Sequence, residues 1–328
     1  MQMKNYMKFK KTIIRVFYSC DGLRGFLLNS EDFFSLSRIM LFQLLGKFVA
    51  KKNHEKCVSI IGASQSSLGG KVVSIILPVL NSEKTIATAI KSIQSQGYKH
   101  WELLIVDDGS TDMTSEIIRN FANTDPRIKL YQNTTNKGVA YARNVGLYYA
   151  TGEYITFHDA DDTSHPERLE YQVAGLLANS NIELFIFQYV RVNEQGDIYI
   201  INGKKKWNRV SGMMFKKQMI DKIGYFKPLK ISEDSEYYER IVATFGKASR
   251  KITCKTLYYA LFSPDSLLFS NANVVISNNS VDYQIHDSEY SVLKDYRLEH
   301  KKISAGELSP YQDFSIDEKI TQCIYPDE

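Results

Sequence analysis

The sequence has few cysteines and no long apolar run, and these absences exclude several classes of protein. Its four cysteines lie far apart without a CxxC pair, which argues against a disulfide framework or a zinc site and favours a reduced cytoplasmic chain. No uninterrupted apolar run reaches the roughly 18 residues that a membrane-spanning helix needs. The start of the chain is basic and then apolar, but its apolar part is too short and broken for a secretory signal peptide.

Glycine-rich phosphate-binding loops are missing as well. The stretch "IIGASQSSLGG" (60–70) has neither the GxGxxG spacing nor a GK[ST] ending, so we interpret it as a flexible linker. A nucleotidyltransferase would need a glycine-rich basic loop after its first strand, and "PVLNSEKT" (78–85) is not such a loop. The sequence therefore argues against a P-loop enzyme and makes a nucleotidyltransferase a weak alternative.

Charge is distributed unevenly along the chain. Residues 1–71 contain 12 Lys and Arg against 4 Asp and Glu, whereas the remainder contains 29 against 33. The overall net charge of +4 is modest, and we predict no nucleic-acid partner. In the basic extension, an apolar stretch with interspersed basic residues (33–52) predicts either a helix on an anionic membrane surface or a helix packed on the chain or a partner. The expected location is the cytoplasm, with peripheral attachment to the inner membrane face as one reading.

From Val72 onward the chain alternates predicted strands with predicted helices. Short apolar runs predict buried strands at 72–80, 102–110, 128–133, 153–159 and 182–193. Helical periodicity predicts helices after Asn81, after Asp112, over 139–150 and from near Pro166. In the third helix, Ala142 and Gly146 are small enough to let it approach a sheet closely. The alternation predicts βαβ units and an α/β fold with a mostly parallel central sheet flanked by helices.

The regular alternation of predicted strands and helices ends at a predicted hairpin turn at Gln195–Gly196. The pattern predicts a short helix within 212–226, a longer helix over 233–246 and two strands within 247–262. Residues 271–328 are polar and weakly patterned, so we treat them as a C-terminal extension without an assigned role.

Three aspartates crowd the end of the fourth predicted strand in "YITFHDADDT" (154–163). Asp159, Asp161 and Asp162 should repel each other, and each would cost free energy to bury unpaired. Ligands of open α/β sheets bind outside the carboxyl ends of the strands. Asp107 and Asp108 end the second predicted strand, so both acidic clusters should line one crevice.

Three chemistries could use the aspartates at 159–162. A calcium loop is disfavoured, because Ser164 stands where an EF-hand needs glycine and Pro166 intrudes. A solvated turn that caps the next helix is an open alternative, because Asp is common in turns. The third is a Mg²⁺ or Mn²⁺ ion holding a diphosphate, since such ions prefer carboxylate and phosphate oxygens.

Four segments together resemble the motifs of family 2 glycosyltransferases, which are inverting enzymes of the GT-A fold that use nucleotide-activated sugars. The segments are "VSIILPVLNSEKTIATAIKSIQSQ", "ELLIVDDGSTDMTSEII", "NKGVAYARNVGLYYATGEYITFHDADD" and "ISEDSEYYERI". The resemblance covers about residues 72–262 and implies a GT-A type nucleotide-diphospho-sugar transferase fold, here with N- and C-terminal extensions.

The resemblance implies a role for several residues at the donor site. Pro78 would border the nucleotide base, and Asp108 would accept a hydrogen bond from a uracil ring with Asp107 beside it. Arg143 and Asn144 would face the nucleotide-sugar. Asp107 or Asp108 could instead cap the next helix, and Arg143 could form an ordinary surface ion pair.

The resemblance also implies the metal ligands and the catalytic base. Asp159 would face the ribose and the metal, and Asp161 would bind the Mn²⁺ or Mg²⁺ directly. Asp234 matches the general base, although Glu233 and Asp234 could simply be first-turn acids that complement a helix dipole.

One departure concerns the segment after the second acidic motif. Many relatives carry "YRxHxxS" there, whose Arg and His approach the diphosphate or the metal. This chain has Ala260 and Phe262 at those positions. Asp265 or a residue of the C-terminal extension could substitute.

The predicted organisation has four parts. Residues 1–71 form the basic extension, 72–200 the nucleotide-sugar-binding half, 201–270 the half with the acceptor site and the base, and 271–328 the C-terminal extension. The implied activity is metal-dependent, inverting transfer of a sugar, as in hexosyltransferases. The donor is expected to be a UDP-sugar, the acceptor a glycan or a lipid-linked hydroxyl, and the process bacterial surface polysaccharide synthesis. The alternative is a non-catalytic protein that binds nucleotide-sugars or glycans on the same scaffold.

Overall fold

The structure is a computed structural model that describes residues 70–264, 266, 269, 272–277, 279–317 and 320–322. The predictions for the basic extension, including its attachment to a membrane, concern residues that lie almost entirely outside this range. Asp265, a suggested substitute ligand, also lies outside it. Among the described residues, no helix combines the length and the apolar character that crossing a bilayer requires.

The first half of the described chain alternates strands and helices as the sequence predicts. Its elements are β1 (Val73–Val79), α1 (Ile86–Gln94), β2 (Trp101–Asp107), α2 (Thr114–Ala122), β3 (Ile128–Gln132), α3 (Val139–Tyr149), β4 (Tyr154–Phe157), β5 (Thr163–Ser164), α4 (Arg168–Leu177) and β6 (Leu184–Val192). The apolar runs of β1, β2 and β4 are buried on both faces, because helices cover the sheet on either side.

The second half adds mostly antiparallel pairs to this sheet. Its elements are β7 (Ile198–Ile201), β8 (Trp207–Lys216), α5 (Ile220–Ile223), α6 (Glu233–Phe245), β9 (Arg250–Leu261), β10 (Ala272–Ser277), β11 (Ser280–Ile285), α7 (Asp287–Ser304) and β12 (Thr321–Gln322). The sheet runs in the order β10-β11-β7-β6-β8-β4-β1-β2-β3-β12, and β9 pairs with β6. The central strands β4-β1-β2-β3 are parallel, as predicted, and β8 joins β4 antiparallel.

Two predictions about local structure need correction. The short helix predicted within 212–226 is present only as α5 and the turn before it. Residues 212–216 belong to β8, because they pair with β4 and β6 and their apolar side chains are buried. Residues 250–261, expected to form two strands, form the single strand β9 along β6, with shifts in register in place of a turn. The remaining predicted helix, α6, ends before Gly246, whose φ of 80° suits glycine.

The C-terminal extension packs on the rest of the chain and supports α6. Glu236 of α6 accepts hydrogen bonds from Arg240 at 3.0 Å and pairs with His300 of α7 at 3.1 Å. Further along, Gln312 exchanges main-chain hydrogen bonds with Ile223 and Tyr225. Residues 287–312 therefore help to fix the helix that begins with the predicted base.

Gly146 lets α3 lie directly on β1, and replacing it should destabilise the fold. A Cβ atom at this position would stand 2.3 Å from Ile76 Cγ2, and Ile76 is fully buried and cannot move aside. We expect Gly146→Ala to lower the free energy of unfolding by about 1–3 kcal/mol, measured by urea denaturation. The control is Gly97→Ala, whose Cβ would meet its nearest atom at 3.7 Å. Equal stability of both variants would contradict the close packing of α3.

Candidate active site

A cleft of about 530 Å³ opens at the carboxyl ends of β1 and β4, where open α/β sheets bind ligands. It is lined by residues 78–85, Asp112, Ala160, Asp161, Leu261 and Ser263. These residues come from the segment after β1, the segment after β2, the turn after β4 and the end of β9. Pro78 and Asp161, two of the residues expected at a donor site, therefore border the same cleft.

Hydrogen bonds between two loops form one rim of the cleft. Asn81 donates its N–H to Ser110 Oγ at 2.9 Å, and its Oδ1 accepts the N–H of Thr111 at 2.9 Å. Glu83 and Asp112 connect the same loops again, through the Glu83 N–H and Asp112 Oδ2 at 3.2 Å. Asn81 has a φ of 47°, in the left-handed region that asparagine tolerates better than most residues. The loops after β1 and β2 are therefore held as one unit.

Asp107 and Asp108, at the end of β2, are buried and bind neighbouring loops. Asp107 accepts the N–H of Ser110 at 2.9 Å. Asp108 accepts hydrogen bonds from the Asn133 amide at 2.6 Å and from the Gly138 N–H at 2.7 Å. The carboxylate of Asp108 thus ties the loop before α3 to the end of β2. Its contact with a uracil ring stays a proposal.

A buried arginine joins two of the crowded aspartates. Arg209, on β8, donates hydrogen bonds to Asp159 and to Asp162, the latter at 2.7 Å. Asp162 also accepts the N–H of Leu261 at 2.9 Å. The Arg209 guanidinium lies 4.5 Å from the centre of the Tyr258 ring. The positive charge of Arg209 compensates the repulsion that the sequence alone left unexplained.

The two carboxylates differ in how readily they ionise. Burial raises the pKa of Asp159, but the charges of Arg209 and Arg143 outweigh it and hold that pKa below its usual value. Burial raises the pKa of Asp162, and the neighbouring carboxylates add to the rise against the attraction of Arg209. Asp159 is therefore the member of this pair that most readily carries a negative charge.

Asp161 presents its carboxylate to the cleft. The arginine contacts that hold Asp159 and Asp162 do not extend to Asp161 among the residues that the structure describes. Desolvation by the cleft walls and the charge of Asp159 raise the pKa of Asp161. Within the described ranges, no group of three His, Cys, Asp or Glu side chains is placed to hold a metal ion by itself. Mg²⁺ and Mn²⁺ need only one or two carboxylates beside phosphate oxygens, so Asp161 and Asp159 fit such an ion bound with a diphosphate.

Arg143, on α3, connects the aspartates with the start of α6. Its guanidinium donates hydrogen bonds to Glu233 and, at 3.4 Å, to Asp159. Burial alone would lower the pKa of Arg143, but nearby carboxylates, Glu233 first and Asp234 among them, raise it. Asp234 is half-buried in the first turn of α6, after Ser232 with its left-handed φ of 58°. The structure therefore brings Glu233, Arg143 and Asp159 together, and Asp234 is the residue after Glu233.

Asn144 has a different role from the one expected beside Arg143. Its amide donates to the Phe226 carbonyl at 2.9 Å and accepts the Phe226 N–H at 2.7 Å. Successive residues of a helix point in different directions, so Arg143 and Asn144 do not share a face. Asn144 thus fixes the segment before α6 and does not face a donor through these contacts.

Ala260, on β9, and Phe262, just after it, lie in apolar surroundings. Ala260 is 1% exposed. Phe262 stacks on Tyr199 with ring centres 4.2 Å apart and packs against Phe269 at 5.5 Å. Phe262 therefore belongs to a small apolar cluster under the β10–β11 hairpin and offers no ligand to a metal or a phosphate.

Sequence reasoning missed two buried arginines that organise the site. Arg209 stands in the alternating stretch "WNRVSGMMF", and a strand assignment there would have predicted one inward-facing arginine. Arg168, on α4, donates to the Phe157 carbonyl at 2.7 Å, and burial lowers its pKa to about 10. Because its hydrogen-bond acceptors are neutral oxygens, no charge pattern in the sequence indicates it.

Comparison with known proteins identifies what this chain is similar to. Residues 74–232 match the family model "Glycosyl transferase family 2". The chain is 51% identical over 108 residues to the putative glycosyltransferase EpsE of Bacillus subtilis, covering 33% of this chain and 39% of EpsE. It is 43% identical over 122 residues to the UDP-Glc:alpha-D-GlcNAc-diphosphoundecaprenol beta-1,3-glucosyltransferase WfgD of Escherichia coli, covering 37% and 47%. The matched segment spans less than half of each of these two relatives.

A solved structure shows a related fold. The S. aureus TarS 1–349 structure in complex with UDP-GlcNAc superposes with a TM-score of 0.52 and 22% identity, covering 72% of this chain and 71% of that one. At this identity the likeness concerns the architecture alone.

Proposed function

Residues 74–232 are a family 2 glycosyltransferase domain within a GT-A type fold, and we propose that the protein is an active inverting glycosyltransferase. The proposed reaction transfers a sugar from a nucleotide-diphosphate donor, a UDP-sugar, to a hydroxyl of a glycan or lipid-linked acceptor. Residues 72–200 bind the donor in this proposal, and residues 201–270 contribute the acceptor side and the base.

The observation that carries this proposal is the position of Arg143. One buried guanidinium contacts both Asp159, beside the cleft, and Glu233, next to Asp234. A transferase must hold the donor diphosphate and the base a short distance apart, on opposite sides of the reacting sugar carbon. Arg143 contacts Asp159 on the donor side and Glu233 on the side of the base, and so fixes the two sides relative to each other.

On the donor side, Pro78 and the tied loops after β1 and β2 form the wall for the nucleotide, and Asp108 accepts a hydrogen bond from the base. Asp159 and Asp161 would hold Mn²⁺ or Mg²⁺. When bound, such an ion supplies positive charge that stabilises the departing diphosphate. Asp159 keeps its negative charge for this task because Arg209 and Arg143 lower its pKa.

On the acceptor side, Asp234 removes the proton of the acceptor hydroxyl as its oxygen attacks the sugar carbon. The bond from that carbon to the diphosphate oxygen breaks on the opposite face, so the configuration inverts. Glu233 is buried and paired with Arg143, and its proposed role is to orient the first turn of α6.

The proposed setting is bacterial surface polysaccharide synthesis. The relative WfgD uses UDP-glucose and a diphosphoundecaprenol-linked sugar according to its name, and it shares a 122-residue segment with this chain. The likeness to WfgD supports a UDP-sugar donor and a lipid-linked acceptor as classes and does not identify the particular sugars.

The metal assignment leads to a prediction for Asp161. We expect UDP to raise the thermal unfolding temperature only when Mn²⁺ or Mg²⁺ is present, because the cleft offers the diphosphate a metal bound by carboxylates. Asp161→Asn should abolish this metal dependence while leaving the unfolding temperature without UDP almost unchanged. Asp221→Asn, at an exposed site on α5, is the matched control. Equal stabilisation by UDP with EDTA and with Mn²⁺ would contradict the metal site.

A second candidate function rests on Ala260 and Phe262. Because positions 260 and 262 do not carry the Arg and His that the resemblance led us to expect, the same scaffold could bind a nucleotide-sugar without transferring it. Both functions require donor binding, and only the enzyme requires release of UDP stimulated by an acceptor.

A further inference from the structure

The strand next to β9 carries an arginine at the level of Ala260. In the parallel pairing of β6 with β9, Arg191 stands opposite Ala260, and two residues earlier Tyr189 stands opposite Tyr258. Residues paired in register direct their side chains to the same face of a sheet, and so do residues two positions apart in a strand. All four side chains therefore project from the same face of the sheet.

That face is the one that meets the aspartates. The Tyr258 hydroxyl accepts the N–H of Asp159 at 3.0 Å. The guanidinium of Arg209 lies 5.1 Å from the Tyr189 ring centre and 4.5 Å from that of Tyr258. The main chain of Leu261, the residue after Ala260, donates its N–H to Asp162 at 2.9 Å, so the end of β9 lies beside the aspartates. Arg191, opposite Ala260, is consequently placed on the acidic face of the sheet.

Among the described residues, Arg191 has no anionic partner, in contrast to Arg143 and Arg209. Arg143 and Arg209 are neutralised by carboxylates. Arg191 is half-buried, and its Nε is buried without a hydrogen bond among the described residues. Within the part of the chain that the structure describes, its guanidinium packs near two aromatic rings, 5.4 Å from Phe269 and 5.9 Å from Tyr189.

Such an arrangement is costly unless something anionic is bound. A buried guanidinium nitrogen without an acceptor loses its hydration and gains nothing in return. A diphosphate offers a set of charged oxygens that match the planar fork of an arginine.

We propose that Arg191, on β6 opposite Ala260, binds the diphosphate of the nucleotide donor. This inference rests on the proposed function, because it assigns a residue to the donor site of that reaction.

The test compares UDP with uridine, which lacks the diphosphate. Affinities of the full chain are measured with saturating Mn²⁺, by calorimetric titration for UDP and by NMR titration for uridine. We expect Arg191→Ala to weaken UDP binding roughly 10- to 100-fold, the loss of a charged hydrogen-bond partner, and to leave uridine binding unchanged. Arg191→Lys should recover part of the affinity for UDP. Arg191→Gln, closer in size, gives the same comparison if the alanine variant does not fold.

The matched control is Arg250→Ala. Arg250 is half-buried at the other end of β9, lies 5.8 Å from the Tyr238 ring centre and hydrogen-bonds the Tyr238 hydroxyl. Arg250→Ala should leave the affinities for UDP and for uridine unchanged. If the Arg191 variants lose the same affinity for UDP and for uridine, or lose none, the role of Arg191 is wrong and the proposed function is unaffected. Absence of UDP binding by the unmutated protein would overturn the proposed donor and this inference with it.

Discussion

Asp234→Asn is expected to lower the rate of sugar transfer roughly 10²- to 10⁴-fold, because asparagine keeps the shape of the side chain but cannot accept the hydroxyl proton. Affinity for UDP should hardly change, since the donor contacts come from the cleft around Asp161 and not from α6. The measurement is the initial rate of UDP release in the presence of an acceptor-containing bacterial membrane extract.

The control for this prediction is Glu239→Gln on the same helix. Glu239 pairs with Arg297 at 3.2 Å on the surface between α6 and α7, and the substitution should leave the rate nearly unchanged. Glu233→Gln removes the ion pair with Arg143. If this substitution lowers the rate of UDP release more than Asp234→Asn does, Glu233 is the catalytic base.

Arg209→Met is expected to cause the largest loss of stability. The guanidinium compensates two carboxylates on the same turn, and removing one partner of a buried ion pair costs about 3–5 kcal/mol. For a domain of this size, that loss corresponds to a fall in the thermal unfolding temperature on the order of 10 °C. The fall should be visible without any ligand, by circular dichroism.

Arg297→Met is the matched control for Arg209→Met. Arg297 makes an exposed ion pair, with 56% of its side chain accessible, and such pairs contribute at most about 1 kcal/mol. If both variants unfold at the same temperature, Arg209 does not support the aspartates as described. Loss of donor binding with unchanged stability would instead make Arg209 a direct ligand of the donor.

The parallel half of the fold could be predicted from the sequence because its signals are local. A buried strand such as β2 is one apolar run, and the small Gly146 marks the helix face that packs on the sheet. The strand ends then follow, and with them the expectation that the two acidic clusters line one crevice, because the carboxyl ends of parallel strands meet at one edge. Asp161 does line the cleft, whereas Asp107 and Asp108 are buried and are not among the residues that line it.

The antiparallel half was predicted less well, because its signals depend on distant partners. Residues 212–216 look helical beside the short helix α5 and become a strand only through pairing with β4 and β6. The partners of a buried arginine are equally nonlocal. Arg209 is separated by about fifty residues from the aspartates that it neutralises, and Arg191 stands opposite Ala260 only because β6 and β9 are neighbours.

For Asp108, the contact that its motif implies differs from the contacts that the structure shows. Its position in "VDDGS" implies a contact with the nucleotide base. Its carboxylate binds Asn133 and main-chain N–H groups of the loop before α3. The motif can be read from the sequence alone. The loop contacts arise only because the end of β2 lies next to the end of β3 in the sheet.

Release of UDP from nucleotide-sugars is the most direct test of the central claim that this cleft catalyses sugar transfer. The unmutated protein should be incubated with Mn²⁺, a panel of UDP-sugars and a lipid extract from bacterial membranes, and UDP should be quantified over time. Our account predicts that at least one donor releases UDP, that the extract stimulates the release and that Asp234→Asn abolishes the stimulation. Binding of UDP without stimulated release from any donor would contradict the account and would indicate a nucleotide-sugar-binding protein.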